Sequence, residues 1–214
     1  MKHTTDASPP PPDPDRVAAV FFDDSLIYRY VDLLAHAGVE RGLIGPREAP
    51  RLWDRHIFNC AAAAPAFAEG SRVADVGSGA GLPGVVLALA RPDLDVTLIE
   101  PLLRRVTFLS EVVDTLGLEN VAVLRTRAED VDPAAAGFDA VTSRAVAALP
   151  KLVRWCLPLT RSGGLVLALK GTTAEAELAE ARPDLRSLGV TSGRVVEYPV
   201  AGTDPTRVVR IESP

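Results

Sequence analysis

Four glycines, Gly77, Gly79, Gly81 and Gly84, fall within the eight residues that follow the run Val73-Ala74-Asp75-Val76. Glycine takes positive φ readily and lets backbone approach a ligand that any Cβ would hold off. A strand, a glycine-rich turn and a helix with Pro83 in its first turn together read as a nucleotide-binding loop. Gly79, Gly81 and Gly84 fit the spacing G-x-G-x-x-G, and Glu100 closes the next apolar run, where a carboxylate accepts hydrogen bonds from ribose hydroxyls. These two features serve NAD and S-adenosylmethionine equally.

Three others favour S-adenosylmethionine. Asp75 sits inside the first strand, where a buried carboxylate can orient loop amides or meet a cationic amino group, and a dehydrogenase usually carries an apolar residue there. The segment Arg127-Ala128-Glu129-Asp130 follows the third strand, so Glu129 is set to face an adenine amine beside the backbone of Ala128. A terminal strand pair after one α/β set suits a single-domain transferase.

The elements that must position these residues are legible in the apolar rhythm. Short runs at 72–76, 94–99, 121–125, 138–142 and 164–169 alternate with helical patterns at 83–91, 102–116, 147–159 and 173–188. Such alternation predicts a parallel sheet with helices on both faces. Two further strand-like runs, "GRVVEYPV" and "TRVVRIE", joined by a Gly-Thr-Asp-Pro turn, predict a closing antiparallel hairpin. Upstream, residues 16–70 carry helical spacing in two stretches, the first stopped by Gly38, the second opened by Pro46 and closed by Gly70. Residues 1–15 are proline-rich without a large apolar side chain and predict a disordered or polyproline tail. The expected domains are therefore a tail at 1–15, a helical extension at 16–70 and an α/β domain at 71–214.

With 47% hydrophobic residues but only 5% aromatics, the core must be aliphatic. Cys60 and Cys156 sit in separate apolar segments, which fits free thiols in a reducing compartment. No apolar run reaches the 18 or so residues of a membrane span, and no secretory h-region follows Lys2. The expectation is a soluble cytoplasmic protein, with a monomer as the simplest assembly. A net charge of −5 argues against an overall cationic coat for nucleic acid, although such footprints are local. Arginines outnumber lysines 20 to 3, yet this ratio says little by itself.

Taken in order, "RLWDRHIFNC", "DVGSGAGLPG", "IEPLLRRVTFL", "RAED", "VTSRAVAAL" and "LALKG" resemble the bacterial 16S ribosomal RNA guanine-N7 methyltransferases, once called glucose-inhibited division protein B. The resemblance spans about residues 16–200. "LWDRH" before the glycine loop and "SRA" after it are its specific marks. It implies a Rossmann-like class I methyltransferase fold: a mostly parallel seven-stranded sheet with a terminal antiparallel hairpin and an N-terminal helical extension. It implies S-adenosylmethionine as cofactor and the small ribosomal subunit as partner, with a guanine of the 530 loop as acceptor.

Guanine N7 already presents a lone pair, so its methylation needs position and electrostatics more than a base. No metal site is expected, since His3, His36 and His56 are scattered and no Cys/His spacing suits zinc. By resemblance Gly77, Leu82, Ala128, Glu129 and Arg144 contact the cofactor, joined from the residue reading by Asp75, Gly79 and Glu100. Arg144, His56 and Lys170 are expected at the reacting centre. Arg51, Arg55, His56 and Lys170 are expected to grip RNA phosphates as a basic lip. Trp53 reads as a core anchor, while Arg104 and Arg105 read equally as RNA-facing or solvated. An NAD-dependent oxidoreductase, with His56 handling the proton, and a non-catalytic RNA-binding module remain as alternatives.

Overall fold

The computed structural model describes residues 9–132 and 135–214. The predicted tail falls largely outside the described residues, and helix begins earlier than its expected boundary. Helix α1 (Pro14–Ala18) has Pro14 in its first turn and is capped by Asp13, whose carboxylate accepts from the Asp15 amide.

Helix α2 (Asp24–Leu33) is capped by Asp23 and continues as a π-helical turn to Gly38, as the helical spacing predicted. The second helical stretch starts later than expected. Residues 42–48 form turns, and helix opens at Ala49 with Pro50, not Pro46, in its first turn. It proceeds as a π-helical segment over Leu52–Phe58 into helix α3 (Asn59–Ala61). Trp53 is buried here, edge-on to Tyr28 and tilted against Phe58, as a core anchor should be.

From Arg72 the chain alternates. Strand β1 (Arg72–Val76) leads to helix α4 (Gly84–Ala90), β2 (Asp95–Ile99) to α5 (Leu103–Leu116), and β3 (Val121–Leu124) to a short 3-10 turn at Ala128–Asp130. Strand β4 (Phe138–Arg144) precedes α6 (Leu149–Cys156), and β5 (Thr160–Lys170) precedes α7 (Ala174–Ser187). Strands β6 (Gly193–Tyr198) and β7 (Thr206–Glu212) complete a seven-stranded sheet in the order β3-β2-β1-β4-β5-β7-β6. All pairs among β1 to β5 are parallel; β7 runs antiparallel to both neighbours.

Consecutive strand residues point to opposite faces. Val73 therefore enters one core with Val96, Leu98 and the helices α2, α4 and α5, while Ala74 enters another with Ile99, Val141 and helix α6. Cys60 and Cys156 lie buried as free thiols, one in each core. The helical extension thus covers the same sheet face as α4 and α5. Strand order reverses between β1 and β4, and a crevice opens at their carboxyl ends, where α/β sheets bind ligands.

Candidate active site

The loop Gly77–Pro83 leaves β1 directly into that crevice. Gly79 holds φ +61°, and its amide donates to Glu100 Oε2 at 3.1 Å. Glu100 also accepts from the Leu102 amide at 3.0 Å and from Arg105 at 3.3 Å, so the buried carboxylate at the end of β2 ties the loop to the start of α5. A carboxylate offers about four acceptor positions, so one remains for a hydroxyl. Arg105 is thereby turned inward, whereas Arg104 stays exposed.

Asp75 lies beneath the loop and does not line it. Its Oδ2 accepts from the Gly84 amide at 3.0 Å, fastening the first turn of α4 onto β1, and its Oδ1 is buried with no hydrogen-bond partner. A Cβ on Gly84 would stand 2.7 Å from Asp75 Oδ2 and overlap Leu98 Cδ2, so this glycine serves strand–helix contact and not the ligand. Burial pushes the Asp75 carboxyl up to about 7, the nearby Glu100 charge adding to the effect and the Gly84 amide and Arg144 opposing it.

That shift has a definite sign. The unfolded carboxyl ionises near 3.8 while the folded one stays protonated to about 7, so stability falls as pH rises between them. Asp75→Asn cannot ionise. The melting temperature of the variant is expected to gain on that of wild type as pH rises from 4 to 7, and to track it above that. Thermal denaturation across pH checks this; a difference that does not change with pH would contradict it.

Strand β4 brings the second half of the site. Arg144 ends the strand, and Ala145, at φ +57°, turns the chain sharply so that Val146 lies over Gly77. A non-glycine residue in the left-handed region costs roughly 1–2 kcal/mol and clusters at functional sites. The Arg144 guanidinium donates to Arg55 O at 3.2 Å, Asn59 Oδ1 at 3.4 Å and His56 Nδ1 at 2.5 Å. All three acceptors are neutral and belong to the widened helix Leu52–Asn59, a geometry common at functional sites. Among the described residues no carboxylate lies within ion-pair distance of Arg144, so its charge stays available to an anion.

Two cavities meet at this arginine. The smaller, about 560 Å³, is lined by the glycine loop, Leu82, Glu100, Arg127 and Arg144. The larger, about 1040 Å³, is lined by Arg51, Arg55, His56, Asn59, Arg144 and Lys170 with Asp54, Glu177 and Asp204. His56, Arg144, Ala145 and Val146 line both, and so form the shared wall.

The structure therefore brings together Gly77, Gly79, Leu82, Glu100 and Arg144 on one side and Arg51, Arg55, His56 and Lys170 on the other. Arg51 is exposed, and Arg55 pairs at 3.2 Å with Glu48 while keeping half its side chain in solvent. Lys170 is used internally: its ammonium donates to Ala147 O at 2.8 Å and pairs with Glu177 at 2.7 Å, pinning the loop after β4. Ala128 and Glu129 do not join the glycine-loop cavity. They line a separate concavity of about 470 Å³ with Trp155, and Arg127 is the residue of that segment facing the loop, because the 3-10 turn rotates its successors away.

Sequence reasoning missed four contributors. Tyr30, fully buried on α2, donates to Ala80 O at 2.7 Å and holds the glycine loop from the extension side. Asn59 reaches Arg144, and Glu48 reaches His56 at 3.0 Å. Ser143 buries a hydroxyl that has no hydrogen-bond partner. Only Tyr30 left a signal, as the one polar-tipped residue on an otherwise apolar helical stripe. Among the described residues, no group of three or more His, Cys, Asp or Glu is placed to hold a metal, and no helix is long and apolar enough to cross a membrane.

A doubly wound sheet closed by an antiparallel hairpin, with a glycine-loop cavity meeting a second cavity at the switch point, is the fold of the class I methyltransferases. The solved methyltransferase from Aquifex aeolicus shares this fold at a TM-score of 0.58 and 21% identity, covering 82% of this chain and 97% of its own. The M. jannaschii TYW2 structure in complex with AdoMet does so at 0.57 and 18%, covering 75% of this chain and 76% of its own. Residues 23–202 match the family model GidB, rRNA small subunit methyltransferase G. Proteins named ribosomal RNA small subunit methyltransferase G are 55% identical over 92% of this chain in Thermobifida fusca, covering 84% of that protein, and 52% identical over 97% in Streptomyces avermitilis, covering 88%. The chain belongs to the small-subunit rRNA methyltransferase G family.

Proposed function

We propose that this chain transfers the methyl group of S-adenosylmethionine to N7 of a guanine in 16S ribosomal RNA, the 530 loop being the location that the family resemblance implies. The observation that carries the reading is the wall shared by the two cavities, where an arginine with no carboxylate partner among the described residues stands between a glycine-loop pocket and a basic-lipped one.

The residues fit the cofactor. The glycine loop is a cradle with open space at Gly79, the buried Glu100 retains acceptor capacity for a ribose hydroxyl, and Arg144 supplies a cation for the methionine carboxylate. When bound, S-adenosylmethionine supplies a sulfonium methyl that leaves as its C–S bond breaks, the electron pair staying on sulfur. The larger cavity admits a base from an RNA loop, because the deep, narrow major groove of an RNA duplex hides N7. Arg51 and Arg55 at its lip meet phosphates; Lys170 and Glu177 hold the loop that forms its floor. No residue is required to remove a proton, since N7 attacks with an existing lone pair. His56 is kept neutral accordingly, its pKa pushed down to about 4 first by burial and then by Arg144. Ala128 and Glu129 keep an adenine-contact role by resemblance alone.

We read the protein as a monomer acting in the compartment that holds ribosomes. The test is transfer of a labelled methyl group to purified 16S rRNA and to small subunits, with the labelled base identified after digestion. Label in 7-methylguanosine is expected. Label in another base would exclude N7 as acceptor, and absence of label with intact cofactor binding would exclude the RNA.

A further inference from the structure

Arg144 is reached from the helical extension by a chain of side chains that no family feature above assigns. Glu48, on the turn before the second helical stretch, has its Oε2 3.0 Å from His56 Nε2, and His56 Nδ1 lies against the Arg144 guanidinium. The chemistry of the three groups admits one protonation pattern. A guanidinium only donates, so Nδ1 must be the bare nitrogen; Nε2 then carries the hydrogen and donates to the carboxylate.

We propose that Glu48 and His56 are positioning residues for Arg144: the Glu48 carboxylate fixes the Nε2–H tautomer of His56, whose Nδ1 anchors the guanidinium on the wall between the two cavities. The inference deepens the methyltransferase reading and rests on it for the role of Arg144. Its physical purpose is preorganisation. A free arginine side chain carries about 2 kcal/mol of rotamer entropy, and fixing it before the ligand arrives removes that cost from binding. Three acceptors of the Leu52–Asn59 segment hold the guanidinium, and His56 is the one whose acceptor state a further residue controls.

Charged groups face His56 from three directions: Glu48 from the preceding turn, Arg144 from β4 and Arg55 from its own helix. The two arginines and burial oppose an imidazolium, and Glu48 favours one. The balance leaves the ring neutral at neutral pH, so the anchor is in place under working conditions. Glu48 also holds Arg55 through the same oxygen, so its loss would release a lip residue as well.

The experiment uses the full-length protein and S-adenosylhomocysteine as probe, with calorimetric affinity and nitrogen NMR of the imidazoles as two readouts. Arg144→Ala and His56→Ala are each expected to weaken binding about tenfold or more, and the double variant should be no weaker than Arg144→Ala alone. Glu48→Ala should follow His56→Ala, whereas Glu48→Gln keeps an acceptor oxygen and should restore most of the loss. NMR should show His56 with bare Nδ1 in wild type, and that signature should move in Glu48→Ala and in Arg144→Ala. Additive losses, or a His56 carrying its hydrogen on Nδ1, would overturn the proposal even if every variant stays folded. If wild type binds no S-adenosylhomocysteine, the cofactor reading falls, and the tautomer readout still decides the relay.

Discussion

Arg144→Ala is expected to lower methyl-transfer efficiency on the order of a hundredfold to a thousandfold while the protein stays folded. The guanidinium rests on three neutral acceptors and faces both cavities, so its loss removes the one cation on the shared wall and also the link from β4 to the Leu52–Asn59 helix. Hydrogen bonds to charged groups are worth about 1.5–3 kcal/mol each, which sets the lower part of that range. Misplacement of two reactants that must meet in line supplies the rest. Arg144→Lys should recover little, because an ammonium cannot span three acceptors arranged for a planar fork. Steady-state kinetics with separate cofactor and RNA titrations would check this. An effect confined to RNA affinity would move Arg144 from the cofactor to the phosphates, and no effect would remove it from the site.

Gly84→Ala, at the start of α4, should be strongly destabilising although it touches no ligand. Its Cβ overlaps Leu98 on β2 and stands 2.7 Å from Asp75 Oδ2, with Leu98 fully buried and Asp75 1% exposed, so neither neighbour has space to retreat into. Overpacking of this kind costs about 1–3 kcal/mol. For a chain of this size the melting temperature should fall by roughly 3–10 °C. Helix α4 must also lift from β1, stretching the Gly84 amide away from Asp75 and tilting the loop that follows Val76. Cofactor affinity is therefore expected to fall together with stability. Paired calorimetry and thermal melts would show it, and a variant that melts like wild type would refute the packing role given to this glycine. An alanine at Gly79 makes a contrast: a Cβ there meets nothing closer than 3.8 Å, so only its left-handed backbone resists the change.

How much of this was legible depended on which physical signal each element leaves. Strands β1, β2, β4 and the second half of β5 are buried along most of their length and so write continuous apolar runs, which is why their positions could be read within a few residues, whereas β3, at the sheet edge, is fully buried at Val121 alone. The hairpin β6–β7 announced itself through two valine-rich runs around a Gly-Thr-Asp-Pro turn. The start of the second helical stretch misled, because Pro46 and Pro50 carry the same N-terminal signature and only packing of Ala49 and Leu52 chose the later one. Asp75 and Glu100 were visible as acids in apolar surroundings, but not that Asp75 would lie under the loop instead of on it. Glu48 was invisible: it sits eight residues before His56 in a turn, and no periodicity links a turn to a helix face. Ala145 was equally hidden, since alanine gives no hint of a positive φ. The π-helical turns at Leu34–Gly38 and Leu52–Phe58 escape a reading based on 3.6-residue spacing.

Strand β7 lies between β5 and β6, and Thr206, its first residue, exchanges hydrogen bonds with Asn59, accepting from Nδ2 and donating to the main-chain oxygen, both at 2.8 Å. The helix that carries the arginine anchor is thus latched by a residue 147 positions further along the chain. The contact joins residues far apart in the chain, the kind of closure whose entropy cost must be met before it stabilises anything. During synthesis, the glycine loop, the basic lip and Arg144 all exist before the latch does. A growing chain that has not yet released Thr206 also leaves β6 without its partner. A chain without Thr206 therefore keeps Arg144 but lacks the tie that holds its anchor helix to the sheet.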